Sequence, residues 1–363
     1  MIFFEEWENN RGYTLGAELE ARIQDSESFE LKNSSSEILS RIDDNHQANI
    51  HQEFLECMVE FVSPVCENSN EVIDKLKEEI SYLSPFVKNL KAVLATSGSH
   101  SFKVEKLLHV NEKRYDDFAN EYGTLLSRFH ICGFHIHVAL PSSDEAVKAY
   151  NLTLEYLPVF LALSANSPFY NGEETKLLSH RAKLFEQLPR AGLSGYFDSY
   201  EDMQRLYKTM HKAGSINSHK DIWWDVRISP KFKTLEIRIC DACSDFERLR
   251  LLIDLFQALC LYAQTKEISK IPHQILLQNR WNAARHGLDG VFQNNSTITT
   301  IREHFLNLVK EMEKEGIFRT LGTEKSVDLL NELAYKDEPA KIQLNSYKES
   351  GDFISVEKLG VIG

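Results

Sequence analysis

Three stretches of the chain set ionisable or polar side chains at every second position, with apolar ones between. In GFHIHVAL (133–140), His135 and His137 alternate with Phe134, Ile136, Val138 and Leu140. In GYTLGAELEARI (12–23), Thr14, Gly16, Glu18, Glu20 and Arg22 alternate with Tyr13, Leu15, Ala17, Leu19, Ala21 and Ile23. In KTLEIRICDA (233–242), Thr234, Glu236, Arg238 and Cys240 oppose Leu235, Ile237 and Ile239, and a helix is expected to follow. A period of two is that of a β-strand, so each stretch is expected to bury one face and present the other. Gathered in one sheet, the polar faces would form a concave site. There Glu and His suit a divalent metal, and Arg suits anionic oxygens. Singly, each strand has a plainer reading, a wet edge or a structural histidine; three in one chain weigh against it. A fourth stretch, EFLECMVEFVSP, carries Glu53 and Glu60. It reads as a helix on which positions 53, 56 and 60 share a face, either as a solvated acidic stripe or as part of the same site.

A thiol site is the rival. Cys132 and His135 have C-x2-H spacing, and Cys240 and Cys243 have C-x2-C spacing, as a mixed Cys/His zinc hydrolase would use. Such a site leaves the carboxylates at 18, 20, 53, 60 and 236 unexplained.

The elements that must position these groups come from the rest of the chain. Its 363 residues, 42% hydrophobic and 26% charged, are those of a globular protein with ample core. A net charge of -13 argues against non-specific binding to nucleic acid or to an anionic membrane, while a local Arg/His cluster can still hold a small anion. MIFFEEWENN lacks the basic and apolar regions of an export leader. LRLLIDLFQALCLYAQ (249–264) carries Arg250 and Asp254, so it reads as a buried helix rather than a membrane span. The six cysteines show no compact disulfide spacing, and reduced thiols in the cytoplasm are expected. NEVIDKLKEEISYLSPFVKNL has helical spacing that weakens near Pro85, and residues 146–168 read as one long, partly buried helix ending before Pro168. Residues 170–195 are expected to form either a lid or an ordinary surface loop. The last sixty or so residues read as helical and charged, thinning into SGDFISVEKLGVIG. The whole is an α+β domain, with 301–363 a helical extension of it.

Six blocks, TLGAELEARIQD, EFLECMVEFVSPVC, GFHIHVAL, YLPVFLALSANSPFYNGEET with SHR, DIWWDVRISPKFKTLEIRICDA and QNRWNAARHGLDG, stand in an order that resembles the carboxylate–amine ligases of the glutamate–cysteine ligase type 2 family. The resemblance runs from about residue 12 to 300, making 1–300 the expected catalytic domain. It implies a fold like the catalytic domain of glutamine synthetase: a curved, mainly antiparallel sheet with a concave active-site face and helices behind it. It also implies ATP-dependent amide formation through an acyl phosphate, with Mg²⁺ or Mn²⁺. The substrates would be glutamate or another carboxylate, and cysteine or another amine; a homodimer is one option. Carried over residue by residue, Glu18, Glu20, Glu53, Glu60, His135 and Glu236 resemble metal ligands, with His135 and Glu236 on the metal that bridges the nucleotide phosphates. His137 and Arg181 resemble contacts to nucleotide phosphate, Arg181 alternatively to a substrate carboxylate. Arg227 and Arg238 resemble the cations that neutralise the transferring phosphoryl group, and with Glu53 form the expected catalytic set. The chemistry suits these residue types, because phosphoryl transfer asks for positioning and charge neutralisation rather than covalent work. Neither G-x-x-x-x-G-K-[ST] nor G-x-G-x-x-G occurs, so ATP must be held without a P-loop. Two departures, Ser101 where the family has proline and Leu177–Leu178 before Ser179, are expected to reshape the acceptor pocket. A relative that binds ATP and amino acid without turnover is the remaining alternative.

Overall fold

The computed structural model describes residue 7, residues 12–104 and residues 108–363. The run read above for a leader lies outside the described residues, except for Trp7.

The alternating stretches form strands of one sheet. Leu15–Asp25 (β1), Ile50–Gln52 (β2), Met58–Val62 (β3), Ala92–Ala95 (β4), Gly133–Ala139 (β5), Val226–Ser229 (β6), Thr234–Asp241 (β7) and Val361–Ile362 (β8) are its eight strands among the described residues. The order is β6-β7-β5-β1-β3-β2, all antiparallel, with β4 pairing β1 and β8 pairing β4. β1 is shared along its length: residues 15–19 pair with β5, 18–22 with β3 and 22–25 with β4. Its alternation therefore sets which face every neighbour must present.

The aliphatic face is buried. Leu15, Ala17, Leu19, Phe61, Phe134, Ile136, Leu235 and Ile237 lie in one core cluster that extends to Ile362. Helices Ser69–Asn89, Ser143–Ser164 and Phe246–Tyr262 pack on that face. Each starts on a side-chain cap: Asn68 accepts from the Glu71 N–H, Ser142 from Glu145 and Asp245 from Arg248. No helix among the described residues is long and apolar enough to cross a membrane.

Several expectations need correction. EFLECMVEFVSP is not a helix: Glu53 sits in the connection after β2, and Glu60 lies in β3. Val59 and Phe61 take the core side and Glu60 the other, a period of two that five residues were too few to announce. Glu56 turns away to Ser35 and Ser36. The helix at 69–89 runs through Pro85, because Pro85 and Ser81 are both exposed and the unpaired Ser81 carbonyl can be taken by water. In β7 the register shifts between Ile237 and Cys240, so Cys240 faces Phe134 in the core, and Asp241 pairs with Gly133. A bulge of this kind moves every later side chain to the opposite face. Segment 170–195 is largely built in: Ser179, Arg181, Ala182 and Leu184 are buried, and its longest exposed run is the tip, 171–174. The C-terminus does not thin out, since helix Phe353–Lys358 leads into β8, which completes the sheet.

Candidate active site

The polar face of the sheet floors a cleft of about 470 Å³, and the strand register decides who meets whom there. Glu18 lies opposite His135, Glu236 opposite both His137 and Arg227, and Glu20 directly opposite Glu60. Three groups of potential ligand atoms, each gathered within 4.8 Å, result: Glu18 with Glu60 and His135, Glu18 with His137 and Glu236, and Glu20 with Glu53 and Glu60. All six expected metal ligands therefore meet on one face, joined by His137. The pairing of the imidazoles differs from expectation. Register gives Glu236 to His137, and leaves His135 between Glu18 (2.9 Å) and Glu20 (3.8 Å).

Charge is distributed unevenly over this face. Glu236 is buried between two guanidinium groups: Arg227 Nε and Nη2 donate to its Oε2 at 2.9 and 2.6 Å, and Arg238 Nη1 donates to Oε1. Burial alone would raise its pKa, but Arg227 and Arg238 outweigh it and hold the carboxyl far below its usual range. Burial likewise opposes ionisation of Glu18, and the hydrogen bond to His135 with the close approach of His137 (3.3 Å) overrides it. At the other end the balance reverses. Burial, with the charges of Glu60 and Glu20, pushes Glu53 well up; burial, with Glu18 and Glu20, does the same to Glu60. Like charges directly opposite on adjacent strands destabilise a sheet. Three carboxylates gathered this way fit a divalent cation in oxygen coordination, which removes the repulsion that raises two of them.

Supporting residues lock the face in place. The Gly133 N–H donates to Glu20 Oε2 at 2.5 Å, and a Cβ on Gly133 would stand 2.1 Å from Arg181 Nη2 and 2.9 Å from His135 Nε2. A side chain there would push the Arg181 guanidinium and the His135 ring out of place. Arg181 lines the cleft, with its guanidinium anchored on the Arg238 and Ile239 carbonyls at 3.3 Å each. Asp225 accepts from Arg280 Nε at 2.6 Å while its carbonyl accepts the Arg238 N–H at 2.8 Å. The QNRW and WWDVR blocks are thus two halves of one brace.

No pattern in the sequence points to Glu357, 335 positions beyond Arg22 along the chain. Its carboxylate accepts from Gln24 (2.6 Å) and the Ser101 N–H (2.8 Å), and lies 3.7 Å from Arg22 Nη2. Arg22 in turn donates to the Ser97 carbonyl at 2.8 Å. A buried carboxylate from the C-terminal helix therefore grips β1 two and four residues from Glu20. Ser101, expected in the acceptor pocket, faces Glu357 instead, and Leu178 packs with Ala165 and Ala340. Neither departure from the family pattern reaches the cleft.

The two ends of the cleft differ. Beyond Glu18 and His137 lies a hollow of about 340 Å³, walled by Leu15, Val62, Pro64, Val65 and Phe232. Beyond Glu53 the cleft is walled by rings, among them Phe54, Phe118, Tyr122, Phe129 and Trp223. Tyr115, Phe118 and Tyr122 recur at i, i+3 and i+7, a stripe that could have been read from the sequence. The zinc reading fails: among the described residues no cysteine joins a metal-competent group, and burial pushes the Cys132 and Cys240 thiols up to about 12.

The class follows from comparison with solved structures. The fold is that of a bifunctional glutathione synthetase from Pasteurella multocida (TM-score 0.72, 12% identity, 96% of this chain). This chain spans about half (52%) of that protein. It is equally that of the glutamate–cysteine ligase of Francisella tularensis, solved in complex with AMP (TM-score 0.70, 12% identity, 97% of this chain and 88% of that one). These likenesses define a glutamine-synthetase-like catalytic fold. Within that class, the model of glutamate–cysteine ligase family 2 matches residues 14–324, and the chain belongs to that family. A protein of Rubrobacter xylanophilus provisionally named glutamate–cysteine ligase 2-1 is 31% identical over 353 residues, 96% of this chain and 93% of the relative. One of Mycobacterium bovis provisionally named glutamate–cysteine ligase 2 is 32% identical over 286 residues, 77% of this chain and 75% of the relative. The chain is an ATP-dependent carboxylate–amine ligase.

Proposed function

We propose that the cleft activates a carboxylate as its acyl phosphate and passes the acyl group to an amine. A carboxylate oxygen of the donor attacks the γ-phosphorus of ATP and ADP leaves; the amine nitrogen then attacks the acyl carbon and phosphate leaves. Glu20, Glu53 and Glu60 would hold one Mg²⁺ or Mn²⁺, and Glu18, His137 and Glu236 a second, with His135 between them. Bound there, the cations would polarise the phosphate oxygens and neutralise their charge.

The chain's own groups do the remainder. Arg227 and Arg238, fixed by Glu236, take the charge that spreads over the transferring phosphoryl group. We assign Arg181 the anionic oxygens of phosphate or of the substrate carboxylate, as a cation that cannot swing away. Glu53, bordering Phe54, is assigned the proton that the amine loses. The hollow beside Phe232 suits the adenine of ATP, which brings its phosphates toward His137 and Glu236. Six buried free cysteines support a reducing compartment, the cytoplasm.

One observation carries this reading: two acidic clusters and two arginines share one sheet face. The test is hydroxylamine trapping with ATP, Mg²⁺ and a panel of amino dicarboxylates that includes glutamate. ATP-dependent hydroxamate, lost in Glu236→Gln, is the expected result; ADP release without acyl transfer to any nucleophile would point to a silent relative instead.

A further inference from the structure

The donor carboxylate must lie over the metal-competent carboxylates to reach the γ-phosphate, and the nucleotide is assigned the hollow beside Phe232. The amine must then approach from the other end of the cleft. That end is a wall of half-buried rings: Phe54, Phe118, Phe129, Phe185 and Trp223, with buried Tyr122 behind them. The rings are set edge to face: Phe118 and Trp223 have centroids 5.6 Å apart at 90°, Tyr122 and Trp223 6.0 Å at 73°, and Phe54 and Tyr115 5.4 Å at 73°.

Two cations among the described residues flank the rings and both are committed: buried Arg181, 5.7 Å from the Phe185 ring centroid, is anchored on the Arg238 and Ile239 carbonyls and assigned above to anionic oxygens, and half-buried Arg190 is tied into the wall itself. Arg190 donates to the Tyr122 hydroxyl and to the Asp221 carbonyl at 3.0 Å, and its guanidinium lies 5.4 Å from the Trp223 ring centroid. It stiffens the wall rather than offering a ligand contact. His219 and Lys220 stand at the rim and could meet a carboxylate on the acceptor. Among the described lining residues, the aromatic end offers nothing that would single out a thiol. A single CH₂–SH group would cover little of this surface. An apolar body of ring size would displace water from several rings at once.

We infer that the acceptor is an amine bearing a ring-sized apolar group, in preference to cysteine. This rests on the ligase reading above. Hydroxylamine needs no such wall, so it tests that reading separately.

The experiment is a competition with the whole chain, ATP, Mg²⁺ and the dicarboxylate panel. Phenethylamine, phenylalanine, alanine and cysteine are supplied at equal concentration, and the amides are counted by mass spectrometry beside a hydroxamate control. The inference predicts hydroxamate, and a kcat/KM for the ring-bearing amines at least tenfold above that for cysteine. In Phe118→Ala that ratio should fall severalfold, and in Phe118→Leu by less. Hydroxamate with cysteine preferred or equal, or a ratio unmoved in both variants, would overturn the inference. No hydroxamate with any dicarboxylate would overturn the ligase reading and this inference with it.

Discussion

Glu236 and Glu60 occupy the same face of one sheet and have opposite fates. Glu236 is clasped by Arg227, Arg238 and, at 4.0 Å, His137, and is ionised over the whole physiological range. Glu60 faces Glu20 across the ladder with Glu53 beside it. Its one nearby imidazole on the β2 side, His51, stands 3.7 Å away and is half exposed. The first carboxylate is part of a finished ion network. The second belongs to a network short of positive charge. The contrast separates two kinds of ligand: at Glu236 the charge is already compensated inside the chain, so a cation there draws on the charge of neighbouring Glu18, whereas at Glu60 uncompensated charge marks where a cation must come from outside.

The comparison predicts opposite responses to removing charge. Arg238→Ala should be the most damaging change. It leaves Glu236 with one cation short, at a cost of about 3–5 kcal/mol for breaking a buried pair, read as a lowered melting temperature. Hydroxamate formation should fall by roughly 10²–10³ for the lost charge stabilisation. Glu60→Gln should lose comparable activity and yet raise the melting temperature of the metal-free protein. The gain is about 0.5 kcal/mol, because a repulsive cross-strand pair is gone.

Dependence on pH follows with a definite sign. The folded-state pKa values of Glu53 and Glu60 lie above their unfolded values, so their contribution to stability is complete below the ordinary carboxylate range and is lost as pH rises through the raised values. Glu18 and Glu236 behave in the opposite way: their contribution is present above the ordinary range and lost as pH falls through their lowered values. Metal binding must displace the protons of the raised pair. Thermal stabilisation by Mn²⁺ should therefore be larger at pH 8 than at pH 6, and the difference should shrink in Glu60→Gln. A stabilisation independent of pH would contradict the assignment of Glu53 and Glu60.

The smallest expected effect on the site itself lies behind the face, although breaking the buried Arg22–Glu357 pair should lower the melting temperature about as much as Arg238→Ala does. Glu357→Gln keeps the shape that contacts Gln24 but removes the charge opposite Arg22. Metal affinity should weaken severalfold through the loosened strand while the secondary structure persists, as a metal titration beside a circular-dichroism spectrum would show.

Much of this site was legible in the sequence. Glu18, Glu20, His135, His137, Glu236 and Arg238 fall on polar strand faces because strict alternation leaves a strand no other choice once its aliphatic residues are buried. The same reasoning failed where alternation was short or interrupted. MVEFV has too few residues to distinguish a period of two from one of 3.6, and Cys240 follows a bulge that the local sequence does not encode. Pairings such as Glu18 with His137, or Arg22 with Glu357, depend on strand register and on the docking of a distant helix. The aromatic stripe at 115, 118 and 122 was present in the sequence, but which side of a helix faces a cleft is decided by tertiary packing.

The most direct measurement is a crystal structure with Mn²⁺ and a non-hydrolysable ATP analogue, read by anomalous scattering. One Mn²⁺ is expected among Glu20, Glu53 and Glu60 and another among Glu18, His137 and Glu236, with the γ-phosphate between them and facing Arg227 and Arg238. An ATP analogue in the cleft with no Mn²⁺ within bonding distance of these side chains would contradict the account.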